Sequence, residues 1–342
     1  MRAPLLLAAC CLAMSGAPLS ANAVDHGPKA YTDAVRAYQH GDVVSAAITL
    51  TSWSQRDLEE AGAAVLATHD WELVEAAAVL HTEITRRELI ADPTTAALHL
   101  AIAEALVREI PSSQSSPFQP RWYAFAASVF LAETNPKGAR LLIDRGLRAA
   151  SRDPTLHVMS GAIQEMLAHI ENPECSGPGC DTRGPDARAW TTLGQAEAEY
   201  RRGLDLDPQA IEARLRLGRV LFLQNRRTQA REELETVTQT STNVRWRYLA
   251  HLFLGALDDY ESHFTDARRE YEAALKLGPE HQTPYIALSF AEQMTGAGDR
   301  ARQTIDTLVR LPRAATVDPW LNYESGGLDE EALAWLRAHV HR

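Results

Sequence analysis

Two cysteines separated by a tight turn carry the sharpest chemical signature in this chain. Cys175 and Cys180 bracket Ser176-Gly177-Pro178-Gly179, and an even pair joined this way predicts a local disulfide in an exported protein. So small a ring would stiffen a loop rather than hold a fold together. The redox spacing C-x-x-C and the haem spacing C-x-x-C-H are both absent, and the only nearby zinc ligands would be Glu174 and Asp181. The 12 histidines are scattered. The closest grouping is His339 with His341, a terminal pair that offers a metal no cage. His81, next to Thr82 and Glu83 in an apolar stretch, reads as a hydrogen-bonded core histidine. The acidic pairs Glu59-Glu60 and Asp258-Asp259 diverge by about 100° on a helix and cannot share one substrate, so they read as surface charge. There is no H-E-x-x-H, no glycine-rich phosphate loop and no nucleophile elbow. The sequence therefore assigns no catalytic residue, no metal and no cofactor.

Composition limits the elements that could position any site. The 342 residues are 45% hydrophobic and 23% charged, as in folded soluble chains. Alanine and leucine dominate while runs of β-branched residues are scarce, which predicts a mostly helical protein. A formal net charge of −11 sets a repulsive average field against nucleic acid and anionic membranes, so neither is an expected partner. The Arg201-Arg202, Arg226-Arg227 and Arg268-Arg269 pairs sit between acids and read as solvated helix faces. At the start, Arg2, the apolar run Leu5 to Met14 and Ala21-Asn22-Ala23 predict a secretory signal peptide over 1–23. A lipobox reading of Leu7-Ala8-Ala9-Cys10 would instead make Cys10 a lipid anchor. No later stretch is long and apolar enough to predict a membrane span.

The second half repeats. Gly218, Gly255 and Ser289 precede Ala230, Ala267 and Ala301 by the same interval, and Leu234, Tyr271 and Ile305 follow those alanines at a common offset. Ala196, Tyr200, Gly203 and Pro208 match Ala267, Tyr271, Ala274 and Pro279 in spacing. A period of about 34 residues with small residues at fixed places predicts helical hairpins whose backbones approach closely. Prolines at 208 and 279 end the second helices. Upstream, Trp122, Phe125, Ala126 and Val129 begin one hairpin, completed by Ala139, Ile143 and Gly146. Leu156 to Ile170 is a first helix whose partner is delayed by a cysteine-containing loop over 171–187. Tyr31, Ala34, Tyr38, Gly41 and Ala46 sketch another hairpin, and helices are expected at 55–68, 71–90 and 92–109, the last capped by Asp92 before Pro93.

From about Thr191 to Pro312 the chain resembles the tetratricopeptide-repeat family. The resemblance rests on Leu254-Gly255 followed by Ala267-Arg-Arg-Glu-Tyr271-Glu-Ala-Ala274-Leu-Lys-Leu-Gly-Pro279. It departs from the family pattern at Asp258, where an aromatic is usual, and at Glu261-Ser262-His263, a turn without glycine. The resemblance implies an all-α, right-handed solenoid of about sixteen helices whose first helices line a concave groove for a protein or peptide. The expected organisation is a divergent helical lobe over 24–110, a linker over 111–120 (PSSQSSPFQP), a repeat array over 121–312, and a tail over 313–342. The tail's last helix, with Leu333, Trp335 and Leu336, is expected to cap the array.

Helical periodicity places Leu215, Arg219, Phe222 and Leu223 on the groove face, followed by Leu252, Ala256, Asp259 and Tyr260, then Ile286, Phe290, Gln293 and Met294. That stripe is apolar for a solvent-facing surface. It suits an apolar or helical peptide segment, unless the chain fills the groove itself. Leu215, Leu252 and Ile286 stand where family members that capture a C-terminal carboxylate carry polar clamp residues, so that mode is not expected. The function expected is a periplasmic scaffold or adaptor of the cell envelope. Alternatives from other classes are a binder of a lipid or small apolar molecule, and a hydrolase with a site assembled from distant residues.

Overall fold

The computed structural model describes residues 26–111, 118–132, 135–171, 187–312, 317–324 and 330–341. The expected signal peptide, most of the expected linker, and Cys175 with Cys180 lie outside the described residues. Seventeen helices and no strands are found among those described. They are α1 (Pro28–Gln39), α2 (Val43–Thr51), α3 (Gln55–Ala67), α4 (Trp71–Glu88), α5 (Pro93–Glu109) and α6 (Phe118–Ala132). There follow α7 (Pro136–Ala149), α8 (Pro154–Glu171), α9 (Ala187–Leu206), α10 (Ile211–Leu223), α11 (Arg227–Thr240) and α12 (Val244–Tyr260). The series closes with α13 (Phe264–Leu277), α14 (Thr283–Met294), α15 (Gly298–Arg310), α16 (Pro319–Glu324) and α17 (Glu330–Val340). None is long and apolar enough to cross a membrane.

Local signals in the sequence set the helix starts. Asp92 accepts from the backbone N–H groups of Thr94 and Thr95, with Pro93 at the first helical position as expected. Asp42, Ser54, Asp70, Asn135 and Asn243 cap α2, α3, α4, α7 and α12 in the same way. Helices then pair as hairpins, α6 with α7, α8 with α9, α10 with α11, α12 with α13 and α14 with α15. Each second helix packs in turn on the next first helix, which is a solenoid. Several turns between paired helices need one left-handed residue. Gly41 and Gly296 supply it without strain, whereas Asn225 and Ser262 take φ of 61° and 62°.

The hairpins interlock through the glycines the repeat singles out. A large residue of the second helix lies directly over each glycine. A Cβ on Gly255 would sit 2.4 Å from the Tyr271 ring, and one on Gly218 would sit 2.8 Å from Leu234. Gly161 of α8 relates to Tyr200 of α9 with the same 2.4 Å approach, so α8–α9 is a hairpin of this type despite its long connection.

Two expectations about organisation are corrected. The linker does not divide two cores. Phe118, Gln119 and Pro120 are buried residues of α6, Gln119 Nε2 donates to the Val107 carbonyl at 3.1 Å, and one apolar cluster runs from Tyr31 to Met166. The helices do part between Glu109 and Phe118, but the apolar face starting at Phe118 returns to the same core. The last helix does not cap the array either. Leu333 and Leu336 of α17 join the cluster around α4 and α6, at the other end of the solenoid.

Candidate functional site

The first helices α8, α10, α12 and α14 present successive faces to one groove, and α16 lies across all four. Asp318, just before α16, accepts from the Tyr248 hydroxyl of α12 at 2.9 Å and from the backbone N–H of Thr283 in α14 at 3.0 Å. Its carboxylate also caps α16 through the Trp320 N–H at 3.0 Å. Trp320 and Tyr323 then stack edge-on against Phe253 of α12, with ring centroids 5.7 and 5.2 Å away. Two guanidinium groups of α10 complete the seat. Arg216 lies 4.6 Å from the Tyr323 ring, and Arg219 lies 5.8 Å from the Trp320 ring. At the far end the Tyr323 hydroxyl donates to Glu165 Oε1 of α8 at 2.5 Å.

The path continues onto the N-terminal lobe through α17. Arg337 forms a two-pronged pair with Glu83, a fully buried carboxylate of α4, while His339 Nε2 meets Glu75 at 2.8 Å. Trp335 stacks on His339, at a centroid distance of 4.8 Å, and the Arg121 guanidinium lies 4.4 Å from its ring centroid. The His339–His341 end is therefore an ordered docking surface, not a frayed tail. Behind it, His81 is a buried core histidine as expected. Its Nε2 meets the Tyr31 hydroxyl at 2.8 Å and its Nδ1 meets His99 Nδ1 at 2.6 Å. Burial pushes both imidazoles down, His99 to about 4.

This geometry sorts the expected groove residues into two groups. Leu215, Arg219, Phe222 and Leu252 are 0 to 5% exposed. They are packing residues under or beside the chain's own tail, not a free surface. The periodic stripe was too broad, because a first helix in a solenoid is covered on three sides and only a narrow strip reaches the groove. Leu223, Asp259 and Tyr260 are half-buried. Ile286, Phe290 and Met294 of α14 are 54, 50 and 49% exposed and form the open part. A cleft of about 700 Å³ lies between α12, α14 and α16, lined by Tyr260, Ile286, Phe290, Trp320 and Leu321 together with Asp259 and Tyr271. A second, of about 580 Å³, opens on the other side of Phe290 between α14 and α15.

The pair Asp258-Asp259 is not the surface charge its sequence suggested. Asp258 is buried and pairs with Arg231 Nη2 of α11 at 2.6 Å. Asp259 Oδ2 accepts the Tyr271 hydroxyl at 2.6 Å, and its Oδ1 has no hydrogen-bond partner. Desolvation raises the Asp259 carboxyl to about 6. Asp258, Glu261 and His263 lie close enough to suggest a cation site. Arg231 already binds both carboxylates there, Glu261 at 3.1 Å, so a cation would have to displace a guanidinium.

Residues 192–251, spanning α9 to the first half of α12, match the family model described as tetratricopeptide repeat. Tetratricopeptide-repeat sequence is thus found over residues 192–251. Likenesses among solved structures are of fold. A fragment of MamA from Desulfovibrio magneticus RS-1 is 18% identical, with a TM-score of 0.42 over 57% of this chain and 96% of that one. A tetratricopeptide repeat protein from Parabacteroides merdae is 13% identical, with a TM-score of 0.46 over 78% of this chain and 99% of that one. Human IFIT1, solved as a dimer with m7Gppp-AAAA, is 13% identical, with a TM-score of 0.42 over 83% of this chain and 67% of that one. No curated protein matches the chain.

Glu165, Arg216, Trp320 and Tyr323 belong to this groove and were not among the expected site residues. One signal could have found Glu165. It stands four residues after Gly161, as Asp259 stands four after Gly255, and both glycines carry a tyrosine from the second helix. Nothing local in the sequence pointed to Trp320 or Tyr323, whose partners lie on distant helices.

Proposed function

We propose that this chain is a non-enzymatic binding scaffold of the cell envelope that holds an apolar peptide segment on its concave face. The observation that carries the reading is α16 itself. A short segment with the sequence Asp-Pro-Trp-Leu-Asn-Tyr lies across four first helices, anchored by two aromatic rings and a capping carboxylate. A surface that holds one such segment in cis has the shape and chemistry to hold another in trans, through aromatic anchors in pockets and polar contacts at the rim. The open Ile286, Phe290 and Met294 strip extends this seat beyond the tail. The export reading of the first residues supports a periplasmic setting.

The test is affinity capture from envelope extracts with three proteins: wild type, Ile286→Asp/Phe290→Asp, and Trp320→Ala/Tyr323→Ala. Ile286 and Phe290 are exposed, so their replacement leaves the fold intact. The expected result is a partner kept by wild type, lost from the α14 variant and enriched on the tail variant, whose groove is vacated. Identical capture by all three would reject the groove as the site.

A further inference from the structure

The solenoid contains one hydrogen-bonding device twice, and the chain's own tail satisfies only one copy. In α8, Gly161 lets the Tyr200 ring approach the backbone, and the Tyr200 hydroxyl donates to Glu165 Oε2 at 2.8 Å. In α12, Gly255 does the same for Tyr271, whose hydroxyl donates to Asp259 Oδ2 at 2.6 Å. Between them, α10 has Gly218 under Leu234, and Phe222 stands at the carboxylate's position. The carboxylate thus occurs where the second helix brings a phenol and is absent where it brings an aliphatic chain. In the first copy the other carboxylate oxygen, Oε1, accepts a second phenol, Tyr323 of α16, while Arg216 Nη1 lies 3.5 Å from Oε2, the oxygen that Tyr200 holds. In the second copy Asp259 lines the 700 Å³ cleft and its Oδ1 is buried without a partner, so a donor reaches it once the side chain turns toward the cleft.

We propose that the cleft around Asp259 binds the aryl-hydroxyl side chain of a tyrosine carried by an apolar partner peptide, as Glu165 binds Tyr323. This rests on the groove reading above and names what the groove selects. The apolar walls receive the ring and its neighbours: Tyr260, Ile286, Phe290, Trp320 and Leu321 all line the space. A buried acceptor left without a donor costs free energy, which a phenol hydroxyl would recover and a phenylalanine would not. The adjacent Asp258 is committed to Arg231, which also binds Glu261, while the Arg227 guanidinium lies over the Tyr260 ring at 4.3 Å. Desolvation raises Asp259 to about 6, so acidification replaces the charged acceptor by a weaker, neutral carboxyl.

The experiment titrates the whole chain with two blocked tetrapeptides copying residues 320–323, Trp-Leu-Asn-Tyr and its Trp-Leu-Asn-Phe counterpart, by calorimetry. Wild type should prefer the tyrosine peptide about tenfold, the ratio expected for one buried hydrogen bond. Asp259→Ala/Tyr271→Phe, which removes the acceptor without stranding the other hydroxyl, should bind both peptides alike. Should that variant fail to fold, the unaltered chain still decides, because its preference for tyrosine should fade as pH falls through about 6. Equal affinities in wild type, a preference surviving in the variant, or a preference independent of pH would each overturn the proposal. If both peptides bind equally and Ile286→Asp/Phe290→Asp abolishes both, the groove stands and the aryl-hydroxyl anchor falls. If neither peptide binds wild type, both readings fall.

Discussion

Replacing Arg337 by alanine should loosen the tail from the N-terminal lobe at a cost worked from its surroundings. Arg337 Nη2 donates to Glu83 Oε2 at 2.8 Å, and its Nε donates to the other oxygen. Glu83 is 0% exposed, and removing one partner of a buried pair typically costs ~3–5 kcal/mol. Two features reduce that figure here. Arg337 is itself 36% exposed in its side chain, and Arg86 Nη2 remains 3.8 Å from Glu83 with the Tyr38 hydroxyl at 3.4 Å. The expected loss is therefore ~2–3 kcal/mol. Urea unfolding followed by tryptophan fluorescence measures it, and Arg337→Ala, Glu83→Gln and the double variant form a cycle that isolates the pair. Limited proteolysis adds a structural readout, because releasing α17 should expose cleavage between Arg310 and Arg337. A single-variant loss below ~0.5 kcal/mol, or a coupling energy of that size, would refute the claim that this pair holds the tail.

Three further outcomes follow from the same structure. Gly255→Ala places a methyl group 2.4 Å from the Tyr271 ring and should cost ~1–3 kcal/mol in urea unfolding, the usual range for overpacking. Ser262→Gly should stabilise by ~0.5–1 kcal/mol, since φ is 62° there and glycine relieves the left-handed strain while adding unfolded-chain entropy; a thermal scan of both proteins measures the sign. Acidification should weaken the N-terminal lobe through His81 and His99. Both are held below their ordinary value by burial, so the unfolded chain binds more protons between about pH 6.5 and 4, and stability falls across that window as pH drops. His99→Gln, followed by chemical denaturation at several pH values, should flatten the profile.

Much of the hairpin architecture was legible because it is local. Asp92 before Pro93 fixed a helix start, and the interval from Gly255 to Ala267 and Tyr271 fixed a hairpin, since short-range sterics and hydrogen bonds decide both. The groove was legible only in part. Ile286, Phe290 and Met294 face the open strip as their spacing required, but Leu215 and Leu252 share that spacing and are buried, since periodicity gives a direction and not the neighbours along it. Asp258 and Asp259 read as surface charge because their acceptors and donors, Arg231 and Tyr271, come from other helices. The tail's destination was least legible of all. An amphipathic helix with Leu333 and Leu336 declares that it must be buried; only the lobe's Glu75 and Glu83 say where.

The separation between Glu83 and Arg337 is 254 residues, and this has a consequence for synthesis. The carboxylate leaves the ribosome long before the guanidinium that matches it is made. During that interval the lobe holds an acid-lined slot that α17 has yet to enter, and closing so distant a contact comes late in folding. A chain broken anywhere before α17 keeps the slot open, with Glu75 lacking His339 and Glu83 lacking Arg337. α17 thus acts as a seal applied only by copies in which it has been made.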